Sequence, residues 1–81
     1  MDENEVKTKV IEILSDIKPE VEDFESIEEL VHGGTLDSLD IVTLVGELSD
    51  EFDIVIPPSE IIYENFDTVL GLTKMVIKLS D

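Results

Sequence analysis

Eighty-one residues without cysteine exclude disulfide staples and thiolate metal sites, and no apolar run approaches the roughly 18 residues of a membrane span. Twenty-one acids against five lysines and no arginine give a net charge of −16, a field that repels nucleic acid and anionic membrane and draws in basic protein surfaces. A hydrophobic share of 42% is too high for disorder, so one domain over residues 1–81 is expected; the acidic start Met1-Asp2-Glu3-Asn4-Glu5 is unlike a secretory signal, and the cytoplasm is the default expectation.

Taken in chain order, the pattern is all-α: three long helices and one or two short ones, with no strand alternation. The first helix is expected from about Glu3 to Ile17, with Val6, Val10, Ile13 and Ile17 on one apolar face. Glu3–Lys7 and Glu5–Lys9 have the favourable i,i+4 order, and Pro19 ends the pattern by pushing Lys18 out of helical geometry. In the long connection to Asp37, Ser26 and Glu29 have the spacing of a capping box ahead of Leu30 and Val31. A short helix is expected there, with Phe24, Ile27, Leu30 and Leu36 dipping into the core. Gly33-Gly34 breaks the chain.

The second helix is capped by Asp37, with Asp40 at its third position, and runs to about Phe52. Ile54 and Ile56 bracket an extended piece. Pro58 suits the first position of a short helix over roughly Ser59–Glu64. Asp67 or Thr68 caps the last helix, about Val69–Leu79, whose buried side is Val69, Leu72, Met75, Val76 and Leu79, with Lys74 and Lys78 toward its end.

The second helix holds most of the information. Ile41, Leu44, Val45, Leu48 and Phe52 form its core side. Leu39, Asp40, Thr43, Gly46, Glu47 and Asp50 form the outer side. Glu47, Asp50, Glu51 and Asp53 crowd the helix end that the dipole makes unfavourable for acids, and no cation within the helix offsets them. Leu39 points outward one residue after Ser38. Ser38 itself stands at the first turn, where unpaired N–H groups and the positive dipole end favour a phosphate. Asp37 beside it opposes a phosphate, a conflict that a shared divalent cation would relieve during modification. By itself, Asp-Ser at a helix start is ordinary capping chemistry.

The run Gly34-Thr35-Leu36-Asp37-Ser38-Leu39-Asp40 resembles the D-S-L attachment motif of acyl carrier proteins. Ile41 to Ile54, Ile56-Pro57 and Thr68-Val69 resemble the family's second helix and later segments. The resemblance is specific from Gly34 to Pro57 and loose before Glu20. It implies a carrier bundle of three long helices plus one short helix. It also implies that Ser38 receives 4′-phosphopantetheine from coenzyme A through a Mg2+-dependent phosphopantetheinyl transferase, with Asp37 assisting. The partner face it implies is Leu39, Asp40, Thr43, Glu47 and Asp50. Thr43 stands where the family usually has an acid and Gly46 where it has a large apolar residue. The main expectation is an acyl group carried as a thioester between fatty-acid, polyketide or related enzymes. The segment Glu51–Pro57 is also similar to D-alanine carrier proteins, so the alternative is an aminoacyl group loaded by a separate adenylating ligase.

A lesser alternative is an unmodified acidic interaction module. No catalysis is expected, because His32 is the one histidine and there is no thiol nucleophile. Beside Gly33-Gly34, His32 is expected to be solvated. No metal site is expected either, since the EF-hand loop pattern does not occur. Partners with basic surfaces, weak salt-sensitive binding and a monomeric state complete the expectation.

Overall fold

The computed structural model describes residues 2–80; Met1 and Asp81, the ends of the expected 1–81 domain, lie outside them. Three long helices, α1 (Glu3–Ile17), α2 (Ser38–Phe52) and α4 (Val69–Leu79), pack with one short helix, α3 (Tyr63–Phe66). Among the described residues there is no strand. The bounds of α1, α2 and α4 coincide with those expected from periodicity and caps, and among the described residues no helix is long and apolar enough to cross a membrane.

The core is a single cluster. α1 contributes Val6, Val10, Ile13 and Leu14, α2 contributes Leu44 and Leu48, and α4 contributes Val69, Leu72, Met75 and Val76. Phe24, Leu30 and Leu36 pin the long connection into that cluster, and Ile54, Ile56 and Phe66 seal it from the other side. Ile17, Ile27, Ile41, Val45, Phe52 and Leu79, also expected inside, pack against its margin and remain partly exposed. The one buried polar side chain among the described residues, Thr73, donates its hydroxyl to the Val69 carbonyl at 2.8 Å, so it carries no desolvation penalty.

Both connections differ from expectation, for a common reason. No helix forms after Ser26; a 3-10 turn covers Phe24–Ser26 instead, and the Ser26 hydroxyl donates to the Asp23 carbonyl at 3.0 Å. The N–H groups of Leu30, Val31 and His32, which a helix would have used, all donate to Asp67, thirty-five or more residues away. The helix expected over Ser59–Glu64 splits into a 3-10 turn at Pro58–Glu60 and α3, with Ile62 extended between them. The Asn65 amide closes this gap by donating to the Glu60 carbonyl at 2.7 Å, and Lys78 of α4 grips the Glu60 carboxylate at 2.8 Å. In both connections, contacts made outside the local turn, chiefly those of Asp67, take the place of helical hydrogen bonds.

The lysines also choose distant partners. Lys7 meets Glu25 at 3.4 Å and Lys9 meets Glu51 at 3.5 Å, in place of the i,i+4 acids Glu3 and Glu5. Both pairs are exposed, so each contributes little. Lys9 does, however, bring one cation from α1 to the crowded acidic end of α2.

Candidate functional site

The geometry is set by the start of α2. Asp37 is the N-cap in extended backbone geometry, and its carboxylate accepts from the Asp40 N–H at 2.9 Å, while Asp40 accepts from the Asp37 N–H at 3.1 Å. This reciprocal box satisfies two of the donors that a helix start leaves open. Asp40 is held on a second side by Lys18, whose ammonium lies 3.0 Å from its carboxylate. The Lys18 hydrogen bond, then the Asp37 N–H, hold the Asp40 carboxyl below the usual carboxylate range, and the Asp40 bond in turn raises Lys18.

Ser38 sits inside this arrangement without taking part in it. It is exposed, and its hydroxyl makes no hydrogen bond to any described residue. Capping belongs to Asp37, as expected, and the Ser38 hydroxyl takes no part in it. The N–H groups of Ser38 and Leu39 have no acceptor within the first turn, which leaves donors and the positive helix end beside the free hydroxyl.

An open cleft of about 700 Å³ adjoins Ser38. Val31, Gly34 and Leu36 line it from the long connection, Asp37, Ser38 and Ile41 from the start of α2, and Ile61, Ile62, Tyr63 and Phe66 from the opposite side. Ile61, Ile62 and Tyr63 are exposed large apolar residues here, and sequence reasoning passed over them. The signal available was the apolar run Ile61-Ile62-Tyr63, which a short surface helix has no reason to carry.

The other expected site residues divide into two groups. Leu39, Thr43, Glu47 and Asp50 are exposed along the outer side of α2, and Leu39 is 77% exposed. Asp40 stands apart from that strip, committed to Asp37 and Lys18. Val42, at 69% exposure, joins Leu39 one turn along and was overlooked; its i+3 spacing from Leu39 was the signal. A Cβ added at Gly46 would meet nothing within 4 Å, so no neighbour inside the molecule requires glycine there.

His32 is not simply solvated. Its Nδ1 lies 2.5 Å from the Asp67 carboxylate, and its ring stacks on Tyr63 with centroids 3.7 Å apart. Burial pushes the Asp67 carboxyl upward, but hydrogen bonds from the His32 ring and from the His32 and Val31 N–H groups outweigh it and hold the group below the usual range. Asp67 is therefore spent on the connection, and Thr68 caps α4 alone, accepting from the Gly71 N–H at 2.9 Å.

The family model for a phosphopantetheine attachment site matches residues 6–76 of the chain. The chain is 32% identical over 75 residues to a D-alanyl carrier protein of Streptococcus suis (strain 98HAH33), an alignment covering 93% of this chain and 95% of the relative. It is 35% identical, with the same coverage, to the D-alanyl carrier proteins of Streptococcus gordonii (strain Challis) and Streptococcus thermophilus (strain ATCC BAA-491 / LMD-9). An exposed hydroxyl with no hydrogen-bond partner among the described residues, at a helix start that favours phosphate and beside an open cleft, fits a phosphodiester-linked arm. The chain belongs to the family of phosphopantetheine-binding carriers, whose cofactor is a covalently attached 4′-phosphopantetheine arm.

Proposed function

We propose that this chain is an aminoacyl carrier of the D-alanyl type, with its arm on the Ser38 oxygen. The observation that carries the cargo assignment is the set of D-alanyl carrier relatives that match over nearly their whole length. Support for the attachment point is the idle Ser38 hydroxyl, set against a cap already completed by Asp37 and Asp40. The arm, when attached, supplies the terminal thiol on which cargo rides as a thioester.

The chain's own residues have three tasks in this reading. Ser38 offers the oxygen, and the first turn of α2 stabilises the phosphodiester charge. Asp37 keeps the cap and orients Ser38 toward the transferase. Leu39, Thr43, Glu47 and Asp50, with Val42, present an exposed strip to enzymes with basic surfaces. Asp40 contributes its charge while paired with Lys18. These enzymes are a phosphopantetheinyl transferase and an adenylating ligase. Contacts of this kind give fast, salt-sensitive encounters, which suits a carrier that must release each partner in turn. The chain acts as one monomeric carrier domain over residues 1–81, in the cytoplasm, and catalyses nothing itself.

A second reading, an acyl carrier for fatty-acid or related enzymes, is favoured by one observation. The cleft beside Ser38 is lined by Leu36, Ile41, Ile61, Ile62 and Phe66, an apolar surface larger than D-alanine can use. Loading separates the two. Holo protein is incubated with ATP and D-alanine plus an adenylating ligase for that amino acid, or with a fatty acid plus an acyl-activating enzyme. Intact mass is then read before and after hydroxylamine. The aminoacyl reading expects D-alanine released by hydroxylamine from the wild type and none on Ser38→Ala; loading by the fatty acid alone overturns it.

A further inference from the structure

Two walls of the Ser38 cleft are tied together at one carboxylate. On one side, Asp67 Oδ1 accepts from the N–H groups of Val31 at 2.9 Å and His32 at 3.0 Å, and the Asp67 carbonyl accepts from Leu30 at 2.9 Å. On the other, the Asp67 N–H donates to the Tyr63 carbonyl at 2.8 Å. The His32 ring completes the link, since it touches Asp67 Oδ2 and stacks on Tyr63. Val31 and Tyr63 both line the cleft, as do Ser38 and Ile41.

The bonds to Asp67 Oδ1 tie the connection through its backbone, and Leu30 and Leu36 are buried beneath it, joined by a Leu36 N–H to Leu30 carbonyl bond of 2.8 Å. The His32 side chain adds nothing to that core: 48% of it is exposed, yet it is held from two sides. Its position joins the exposed Tyr63 to the Val31 wall.

We propose that His32 and Asp67 are positioning residues, a latch that fixes the Tyr63 wall against the Val31 wall and so sets how far the cleft shelters the arm and its thioester. The proposal rests on the reading of Ser38 as the attachment point. With the latch closed, Ile61, Ile62 and Tyr63 present a fixed apolar surface beside the arm. Without the His32 ring, the backbone bonds through Asp67 and the Glu60–Lys78 tie remain, but the Tyr63 side chain loses the stacking partner that holds it against residues 31–32.

The test uses full-length chains labelled at Ser38 by a transferase, with a coenzyme A derivative bearing a solvatochromic fluorophore on its thiol. Wild type, His32→Ala and Tyr63→Phe are compared for emission maximum and iodide quenching, with circular dichroism and the urea midpoint as checks on the fold. The wild type is expected to emit to the blue of the free conjugate and to resist quenching. His32→Ala, an exposed-site change that leaves the backbone bonds in place, should shift emission to the red and increase quenching. Tyr63→Phe keeps the stacking ring and should match the wild type. Equal emission from wild type and His32→Ala, or water-like emission from the wild type, overturns the latch. A wild type that takes up no label overturns the attachment reading, and the latch with it; a labelled chain with unresponsive emission overturns the latch alone.

Discussion

The two ends of α2 are built on opposite terms. At the start, each acid has a use: Asp37 and Asp40 cap one another, and Lys18 from the end of α1 neutralises Asp40. At the far end, Glu47, Asp50 and Asp53 are exposed beside the negative end of the dipole, with no cation in the last turn. Lys9 reaches only Glu51, and the C-cap is Asp53, a non-glycine residue held at φ 53°. A helix shaped for stability alone would carry lysines and a glycine there. The contrast teaches that the first turn is fixed around a hydroxyl with no partner among the described residues, while the far end of the outer face keeps acids that the helix dipole disfavours.

The comparison breaks first at the cap. Asp37→Ala should cost about 0.5–2 kcal/mol of folding free energy, whereas Ser38→Ala should stay within about 0.5 kcal/mol of wild type. Urea denaturation of both variants checks this, and equal losses would mean that Ser38 shares the capping. Charge comes next. Added NaCl or Mg2+ should screen the net −16 and raise the melting temperature. A gain of about 1 kcal/mol corresponds to roughly 4–8 °C for a chain of this size, and a melt that ignores salt would remove the claim that the acidic face strains the fold.

Smaller effects sharpen the picture at each end. Asp53→Gly relieves a left-handed residue and removes one negative charge, against the greater backbone entropy that glycine loses on folding. The net expectation is a gain of about 0.5 kcal/mol, read from the same urea curves. At the other end, Asp40 has a folded pKa below its ordinary value of 3.8, set first by the Lys18 bond. The unfolded chain therefore binds the proton first. The contribution of Asp40 is fully present above that ordinary value and is lost as pH falls through the folded value. Asp40→Asn should flatten the stability–pH slope below pH 3.8 relative to wild type; an identical slope would show that the Lys18 pair contributes nothing.

How much of this was legible in the sequence depends on where each group finds its partner. α1, α2 and α4 were legible because their apolar spacing and caps are local: Asp37 with Asp40, and Thr68 with Gly71. Within residues 24–36 and 58–66 the core positions of Phe24, Leu30 and Leu36 and the turn opened by Pro58 were legible too, but the turn geometry was not, because Asp67 and Lys78 reach across the fold and Asn65 bonds back to Glu60 to satisfy or pin it. Ser26-x-x-Glu29 has capping-box spacing, yet the N–H groups beyond it were already taken by Asp67. His32 looked like a solvated loop residue because neither Tyr63 nor Asp67 is near it in the chain. At the candidate site, the Asp37 cap and the place of Ser38 in the first turn of α2 were legible from local sequence. The cleft was not, since its far wall comes from Ile61, Ile62 and Tyr63.

Whole-protein mass spectrometry after incubation with coenzyme A, Mg2+ and a broad-specificity phosphopantetheinyl transferase tests the attachment claim most directly. Wild type should gain a single phosphopantetheine, and Ser38→Ala, folded as judged by circular dichroism, should gain none. A wild type that stays unmodified, or a Ser38→Ala chain that is still modified, would contradict the account.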